Sequence, residues 1–363
     1  MTFFYGTMGG MPSPFRVGAG SAAGLYISSL AILCIPAATA QGKWINLAPF
    51  PEPYEEMIGA AANGKMYVLS GSVSAPVWRA VGLVYEYDPA ANKWTKRKPM
   101  ALPAHHLSVA AYNNKIYVFG GFTGVPGGGA WIPINNAWEY DPANDSWKAL
   151  APMPVKRGAA VAAVAGERIY VIGGVTTPPD SKAPTIGPAT AQRVLDTVEE
   201  YDLKSDTWRE RASMPTPRNH TAAGVVDGKI YVIGGRIGAA FIAPSSNLSN
   251  VEAYDPRTDR WSGPLAKMPS GSSVLVTGVY DGQIYVAGGE FQDSTVQSTY
   301  SAFQAYNPAT NTWRVLPPMV PSRHGVAGAI LGNRFYAISG DVQSAGTGIE
   351  VSTPAATAFE FSK

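Results

Sequence analysis

One eight-residue phrase, written six times, constrains this chain more than any other feature. The copies read GKMYVLSG from Gly64, NKIYVFGG from Asn114, ERIYVIGG from Glu167, GKIYVIGG from Gly228, GQIYVAGG from Gly282 and NRFYAISG from Asn333. Five are followed, after a loop of variable length, by YEYDPAANKW, WEYDPANDSW, EEYDLKSDTW, EAYDPRTDRW or QAYNPATNTW, which end at Trp94, Trp147, Trp208, Trp261 and Trp313. A recurrence of ~50 residues marks one supersecondary unit repeated around or along an axis. The sixth copy stops at AFEFSK without a Trp, and the missing Trp stands at the opposite end of the chain, as Trp44 in GKWINLAPFP.

Each unit reads as four strands. Stretches such as AAVAAVAG and TAAGVVDG, rich in small residues, suit an innermost strand where space tapers towards an axis. The IYVIGG strand is apolar on both faces, as expected of a strand buried between two neighbours. Its Gly pair provides a backbone that tolerates positive φ and close approach. The YDPxxxxW segment reads as a third strand, a Pro/Asx turn and a Trp-bearing outer strand.

These phrases resemble the Kelch repeat, and the resemblance covers residues 43–363. It implies an all-β fold, a six-bladed Kelch β-propeller, with one four-stranded blade per repeat. The displaced Trp predicts that Lys43–Leu47 supplies the outer strand of the last blade and so removes an exposed edge.

Residues 1–40 stand apart. Arg16 precedes the apolar run Ala22–Ala37, and Ala38 and Ala40 place a small-x-small cleavage signal before Gln41. We read 1–40 as a signal peptide and 41–363 as the propeller, which makes the protein secreted or periplasmic. An uncleaved membrane anchor is the alternative, against which stand the run's shortness and Pro36. The single cysteine, Cys34, lies in this leader. Charged residues are 15% of the chain, with a net charge of +2 and no like-charged run, which gives nucleic-acid binding no support.

All four histidines fall between an outer strand and the next inner strand. The six junctions contribute Glu55/Glu56, His105/His106, Lys156/Arg157, Arg218/His220, Ser272/Ser273 and Arg323/His324. Strand counting puts the loops after the Gly doublets on the same face, where they add Arg236, Glu290 and Asp341 and the aromatics Trp78, Trp131, Phe241, Phe291 and Tyr300. The longest of these loops, Val175–Thr197, has no repeat-derived role. Long loops on a rigid scaffold commonly carry function. The candidate ligand-binding set is therefore Glu56, His105, His106, Arg157, Arg218, His220, Arg236, Glu290, Arg323, His324 and Asp341. Equally, an Arg or His at this junction belongs to the repeat pattern itself and can serve the fold.

Three chemistries known among Kelch propellers bear on these residues. The copper radical site of galactose oxidase needs a Cys, and 41–363 has none. The iron motif of nitrile-specifier proteins needs a carboxylate four residues before a His, and none of the four histidines has one. A sialic acid mutarotase implies an Arg-rich face gripping an acidic sugar, with Glu290 or His220 moving the proton. Imidazoles from His105, His106, His220 and His324 could also converge on a metal, but no ligand spacing occurs within a repeat, and neither metal nor cofactor is expected.

The leading expectation is a binding module for a protein segment or glycan, with Arg157, Arg218, Arg236 and Arg323 donating charge-assisted hydrogen bonds and Arg218 and Arg323 removable without harm to the fold. The alternative is a carbohydrate-acting isomerase or mutarotase. Neither a nucleic acid nor, once the leader is removed, a membrane is expected as partner.

Overall fold

The computed structural model describes residues 42–73, 78–125, 130–187, 190–238, 247–292, 296–344 and 351–362. The leader read in 1–40 and Phe241 lie outside them. Among the described residues every regular element is a strand, and no helix is long and apolar enough to cross a membrane. Residues 42–362 fall within one unit of the chain, Ala40–Lys363.

Six four-stranded antiparallel sheets repeat one design. Blade I runs outward through Ile58–Ala62, Lys65–Leu69, Val84–Asp88 and Lys93–Lys96. Blades II to VI begin at the inner strands Ser108–Tyr112, Val161–Ala165, Ala222–Val226, Val276–Tyr280 and Ala327–Leu331. In blade VI the order from the inside is Ala327–Leu331, Arg334–Ile338, Ala356–Phe361 and then Gly42–Asn46, with Trp44 opposite Phe359. The outer strand thus begins and ends one residue earlier than the sequence suggests, although Leu47 still donates its N–H to the carbonyl of Ala356 (2.9 Å).

The doubly apolar second strands have a direct explanation. Successive side chains of a strand point to opposite faces. In blade IV, Ile230 and Val232 pack with Tyr170 and Ile172 of blade III, while Tyr231 and Ile233 pack with Ile284 and Val286 of blade V. Comparable apolar clusters fill the other four blade-to-blade interfaces, including the one between VI and I. Small inner-strand residues let neighbouring blades approach closely: a Cβ on Gly59 of blade I would lie 2.4 Å from the backbone N of Gly328 in blade VI.

The YDPxxxxW phrase is a clamp between blades. Tyr87, Tyr140, Tyr201, Tyr254 and Tyr306 each donate their hydroxyl to the Asx residue five positions on, Asn92, Asp145, Asp206, Asp259 and Asn311. Each of those five residues has positive φ, between 46° and 55°, a conformation Asn and Asp adopt more readily than other side-chain-bearing residues. The same oxygen accepts a backbone N–H from the segment leaving the preceding blade, as Ala212 N does to Asp259 (2.9 Å). The Trp indole N–H then reaches a carbonyl of that segment: Trp94 to Ala48, Trp147 to Lys98, Trp208 to Ala151, Trp261 to Ala212, Trp313 to Ala266 and Trp44 to Pro317, all at 2.8–3.1 Å. Trp44 completes the sixth position of this rim.

Candidate functional site

Each junction enters its blade through three consecutive residues, and the six copies align as rings. The first ring is Tyr54, Ala104, Arg157, Arg218, Ser272 and Arg323. The second is Glu55, His105, Gly158, Asn219, Ser273 and His324, each bridged to the residue after the Gly doublet: Ser72, Phe122, Val175, Arg236, Glu290 and Asp341. The third is Glu56, His106, Ala159, His220, Val274 and Gly325, all at φ between 53° and 60°. Backbone bonds link third-ring neighbours across blades, with Ala159 N to His106 O, His220 N to Ala159 O and Val274 N to His220 O at 2.9–3.0 Å.

This order divides the sequence-derived candidates. The first-ring arginines are fully buried and serve the blades. Arg157 pairs with Glu199 (2.6 Å) and donates to the hydroxyl of Thr197 (2.7 Å). Arg218 pairs with Glu252 (2.9 Å). Arg323 donates to the carbonyls of Ser339 and Ala355 and to the hydroxyl of Thr357 (3.1, 2.8 and 2.8 Å). These guanidinium groups are withdrawn from solvent and occupied by protein acceptors. The expectation that Arg157, Arg218 and Arg323 bind a ligand, and that Arg218 and Arg323 are dispensable for folding, is therefore corrected: they stitch the second and third strands of their own blades.

The partners follow a pattern that the candidate set missed. Glu199, Glu252 and Thr357 occupy one position of the third strand, and the other blades have Tyr85, Trp138 and Gln304 there. Where that residue is the bulky Trp138, the first-ring residue is the small Ala104, and the two lie in one apolar cluster.

The remaining candidates do converge. Arg236 Nη1 donates to Glu290 Oε1 (2.7 Å), and its Nη2 lies 3.5 Å from His220 Nε2. His106 Nε2 is 3.3 Å from Glu56 Oε2, and the rings of His106 and His220 meet edge to face at 4.8 Å. His324 Nδ1 stands 3.8 Å from Glu56 Oε1 and 4.0 Å from Glu290 Oε2, while its Nε2 donates to the carbonyl of Gln343 (2.7 Å). His105 Nδ1 and His106 Nδ1 share a 2.5 Å hydrogen bond. Asp341 accepts from the N–H of Gln343 (2.8 Å). Beneath this cluster the inner strands surround a channel of about 460 Å³, lined mainly by Ala, Gly and Val, with Glu56, His106 and His220 at one end.

Burial and charge set the protonation states. Burial pushes His105 down to about 3, and burial with neighbouring charges holds His106 and His220 well below the usual imidazole range. His324 behaves oppositely: burial disfavours its charge, but Glu290 and Glu56 outweigh it and lift the ring to about 9. Burial alone would raise Glu290, yet His324 and Arg236 hold it far below the carboxylate range. Glu56 and Asp341 are raised, chiefly by burial.

A stability optimum near pH 6.5 follows. The unfolded histidines titrate near ~6.5. The His324 pairing is fully present below that value and is lost as pH rises through about 9. The three neutral histidines make the unfolded state bind more protons below ~6.5, so stability falls as pH drops. Urea midpoints across pH 4–10 check this, with His324→Gln flattening the alkaline limb.

Loop aromatics cover one side of the cluster. Trp78, Phe122 and Trp131 surround His105 at ring separations of 4.7–5.6 Å, and Trp131 also contacts His106. Val175–Thr197, without a role in the repeat, crosses to blade II here: Ile186 is buried in this cluster and exchanges both backbone bonds with Trp131 (2.7 and 2.8 Å). Phe291 and Tyr300 are half-buried and belong instead to the loop of blade V.

Comparisons place the chain among known proteins. A family model described as the Attractin/LZTR1 β-propeller matches residues 39–240, more than half of the chain, and a KLHDC2/KLHL20/DRC7 Kelch-repeats domain matches 186–340. The chain belongs to the Kelch-repeat β-propeller family. This Kelch propeller is 33% identical over 184 residues to the Kelch-like protein terF of Aspergillus terreus, covering 49% of this chain and 38% of that protein. It is 29% identical over 220 residues to human Kelch-like protein 23, covering 60% of this chain and 35% of the relative. The matched regions thus span little more than a third of those relatives' length. The solved structure of YjhT superposes with a TM-score of 0.69 at 18% identity, covering 87% of this Kelch propeller and 97% of YjhT, a likeness of fold.

Proposed function

We propose that this Kelch propeller is an exported binding module that docks a protein segment on the face formed by the loops after the Gly doublets. One observation carries the reading. Large exposed apolar side chains among the described residues number five, and three of them, Ile237 (49% exposed), Val296 (50%) and Val351 (41%), lie on that face in the consecutive blades IV, V and VI. The face is not uniform: the loops of blades I and III expose the cations Arg79, Lys182 and Arg193 and one acid, Asp180. Exposed apolar side chains on the loops of three blades and a net positive charge on the loops of two others suit a partner segment with apolar anchors and acidic flanks. The leader read in 1–40 supports export, and the kinship with Kelch-like proteins supports protein partners.

The sugar-isomerase reading is left with His220 as its proton carrier and Arg236 as its axial cation, and loses its other parts. Glu290 is ion-paired and held ionised, which makes it a weak base, and the three arginines meant to grip a carboxylate are engaged within the blades.

Panning a displayed peptide library against purified 41–363 tests the proposal. Selected peptides should bind at least about tenfold more weakly to the Ile237→Lys, Val296→Lys, Val351→Lys triple variant, whose melting temperature should be nearly unchanged because the positions are exposed. Peptides that bind the triple variant equally well would remove the site from this face. A thermal shift with neutral or acidic sugars, absent with peptides, would assign the face to glycans.

A further inference from the structure

We infer that Glu56, His106 and His220 form a binding site for one first-row divalent transition-metal ion at the head of the central channel. The three come from blades I, II and IV, and their ligand atoms all lie within 4.8 Å of one another. They occupy equivalent third-ring positions, so the same left-handed backbone turn aims all three towards the axis. That turn is a strained conformation for a side-chain-bearing residue, and Gly325 shows that the ring also accepts glycine there.

The hydrogen bonds around His220 fix its tautomer for ligation. Asn219 Nδ2 donates to the carbonyl of Gly238 (2.9 Å), which orients the amide and leaves Asn219 Oδ1 to accept from His220 Nδ1 (2.5 Å). The proton therefore resides on Nδ1, and Nε2 presents its lone pair to the axis. A second polar group holding the distal ring nitrogen is the usual support of a metal-binding imidazole. His106 Nδ1 is likewise held, 2.5 Å from His105 Nδ1, and its Nε2 is free to ligate in the tautomer in which His105 accepts that hydrogen bond. The 3.3 Å between His106 Nε2 and Glu56 Oε2 matches the spacing of about 3.3 Å that two ligands with ~2.0 Å bonds adopt on a tetrahedral ion.

Other charged groups pack around the three, Glu290 through Arg236, and Glu55 and His324 beside Glu56, so the ion would sit among further carboxylate oxygens. Arg236 Nη2, 3.5 Å from His220 Nε2, is the contact the ion displaces, while the Arg236–Glu290 pair at 2.7 Å remains. Two imidazoles with one carboxylate favour zinc, iron(II), cobalt or manganese over calcium or magnesium, which prefer oxygen donors.

The test uses the 41–363 protein, first stripped with chelator, and Zn²⁺ as probe. Titration calorimetry should give one ion per chain with a dissociation constant of micromolar or below, weakened at least about 100-fold by His220→Ala and by Glu56→Gln. A second readout needs no variant: in long-range ¹H–¹⁵N spectra of the wild-type protein, the Nε2 resonances of His106 and His220 should move on adding Zn²⁺ while those of His105 and His324 stay. Absence of saturable binding would overturn the proposal. A shift at His324 in place of His106 and His220 would overturn it in favour of Glu55, Glu56 and His324, the neighbouring group that shares Glu56.

Discussion

Deleting residues 42–46 is expected to lower the melting temperature of the 41–363 protein by more than about 10 °C. The deletion removes the outer strand of blade VI, whose five residues pair with Thr357–Phe361. It also removes Trp44, which packs on Phe303, Phe335 and Phe359 at ring separations of 5.2–6.4 Å and bonds to the carbonyl of Pro317. Truncating a fully buried Trp costs about 3–5 kcal/mol, and Trp44, which is partly buried, falls towards the low end of that range or below it. In a protein of this size each kcal/mol shifts the midpoint by roughly 2 °C or somewhat more. Loss of the strand adds an unpaired edge and uncovers Phe359. Differential scanning calorimetry of the deletion, with Trp44→Ala as the intermediate case, checks the order wild type, point variant, deletion. A deletion protein that melts with the wild type would show that this strand does not hold the ring closed.

Arg218→Ala is expected to be nearly as damaging, for a different reason. It leaves Glu252 inside the blade without its counter-charge, and breaking a buried pair from one side costs about 3–5 kcal/mol. Replacing both partners by apolar residues of similar size, as in Arg218→Met with Glu252→Leu, should recover most of the loss, because the desolvation of both charges disappears with them. Urea denaturation of the two single variants and the double variant measures this as a cycle. Arg218→Ala with unchanged stability would restore the ligand-binding role that its position in the sequence suggests.

That contrast shows where sequence reasoning ended. Repeat number, blade order and the displaced Trp are visible because each is a matter of residue type at fixed spacing. The gathering of His106, His220, Arg236, Glu290 and His324 on one face also follows from counting strands. The separation of Arg218 from His220 does not. They are two positions apart, and simple alternation would put them on the same side, but the chain turns through positive φ at His220 and sends one side chain into the blade and the other to the axis. No composition rule marks that turn, since Glu, His, Ala, Val and Gly all occupy it. Glu199 and Glu252 were hidden for a related reason: within VEEYD and VEAYD they read as solvent-facing strand residues until the first-ring arginines are placed opposite them. The docking of Ile186 on Trp131 depends on a loop that no other repeat possesses.

The two kinds of bond that hold the blades have unequal demands on sequence. Residue-specific buried pairs, such as Arg157 with Glu199, Arg218 with Glu252 and Arg323 with Thr357, join positions within a single repeat. The Trp bonds between repeats end on main-chain oxygens, which every residue provides. A recombination event that copied, lost or exchanged one whole repeat, cut in the segment after its Trp, would carry each matched pair intact and meet a neighbour whose Trp acceptor is main chain, leaving the apolar interface and contacts such as Arg211 to the Tyr254 hydroxyl to be matched. Propeller size and the order of blades are thereby open to change by gene duplication, whereas the axial cluster, assembled from residues of different blades, is what any such rearrangement would have to build again.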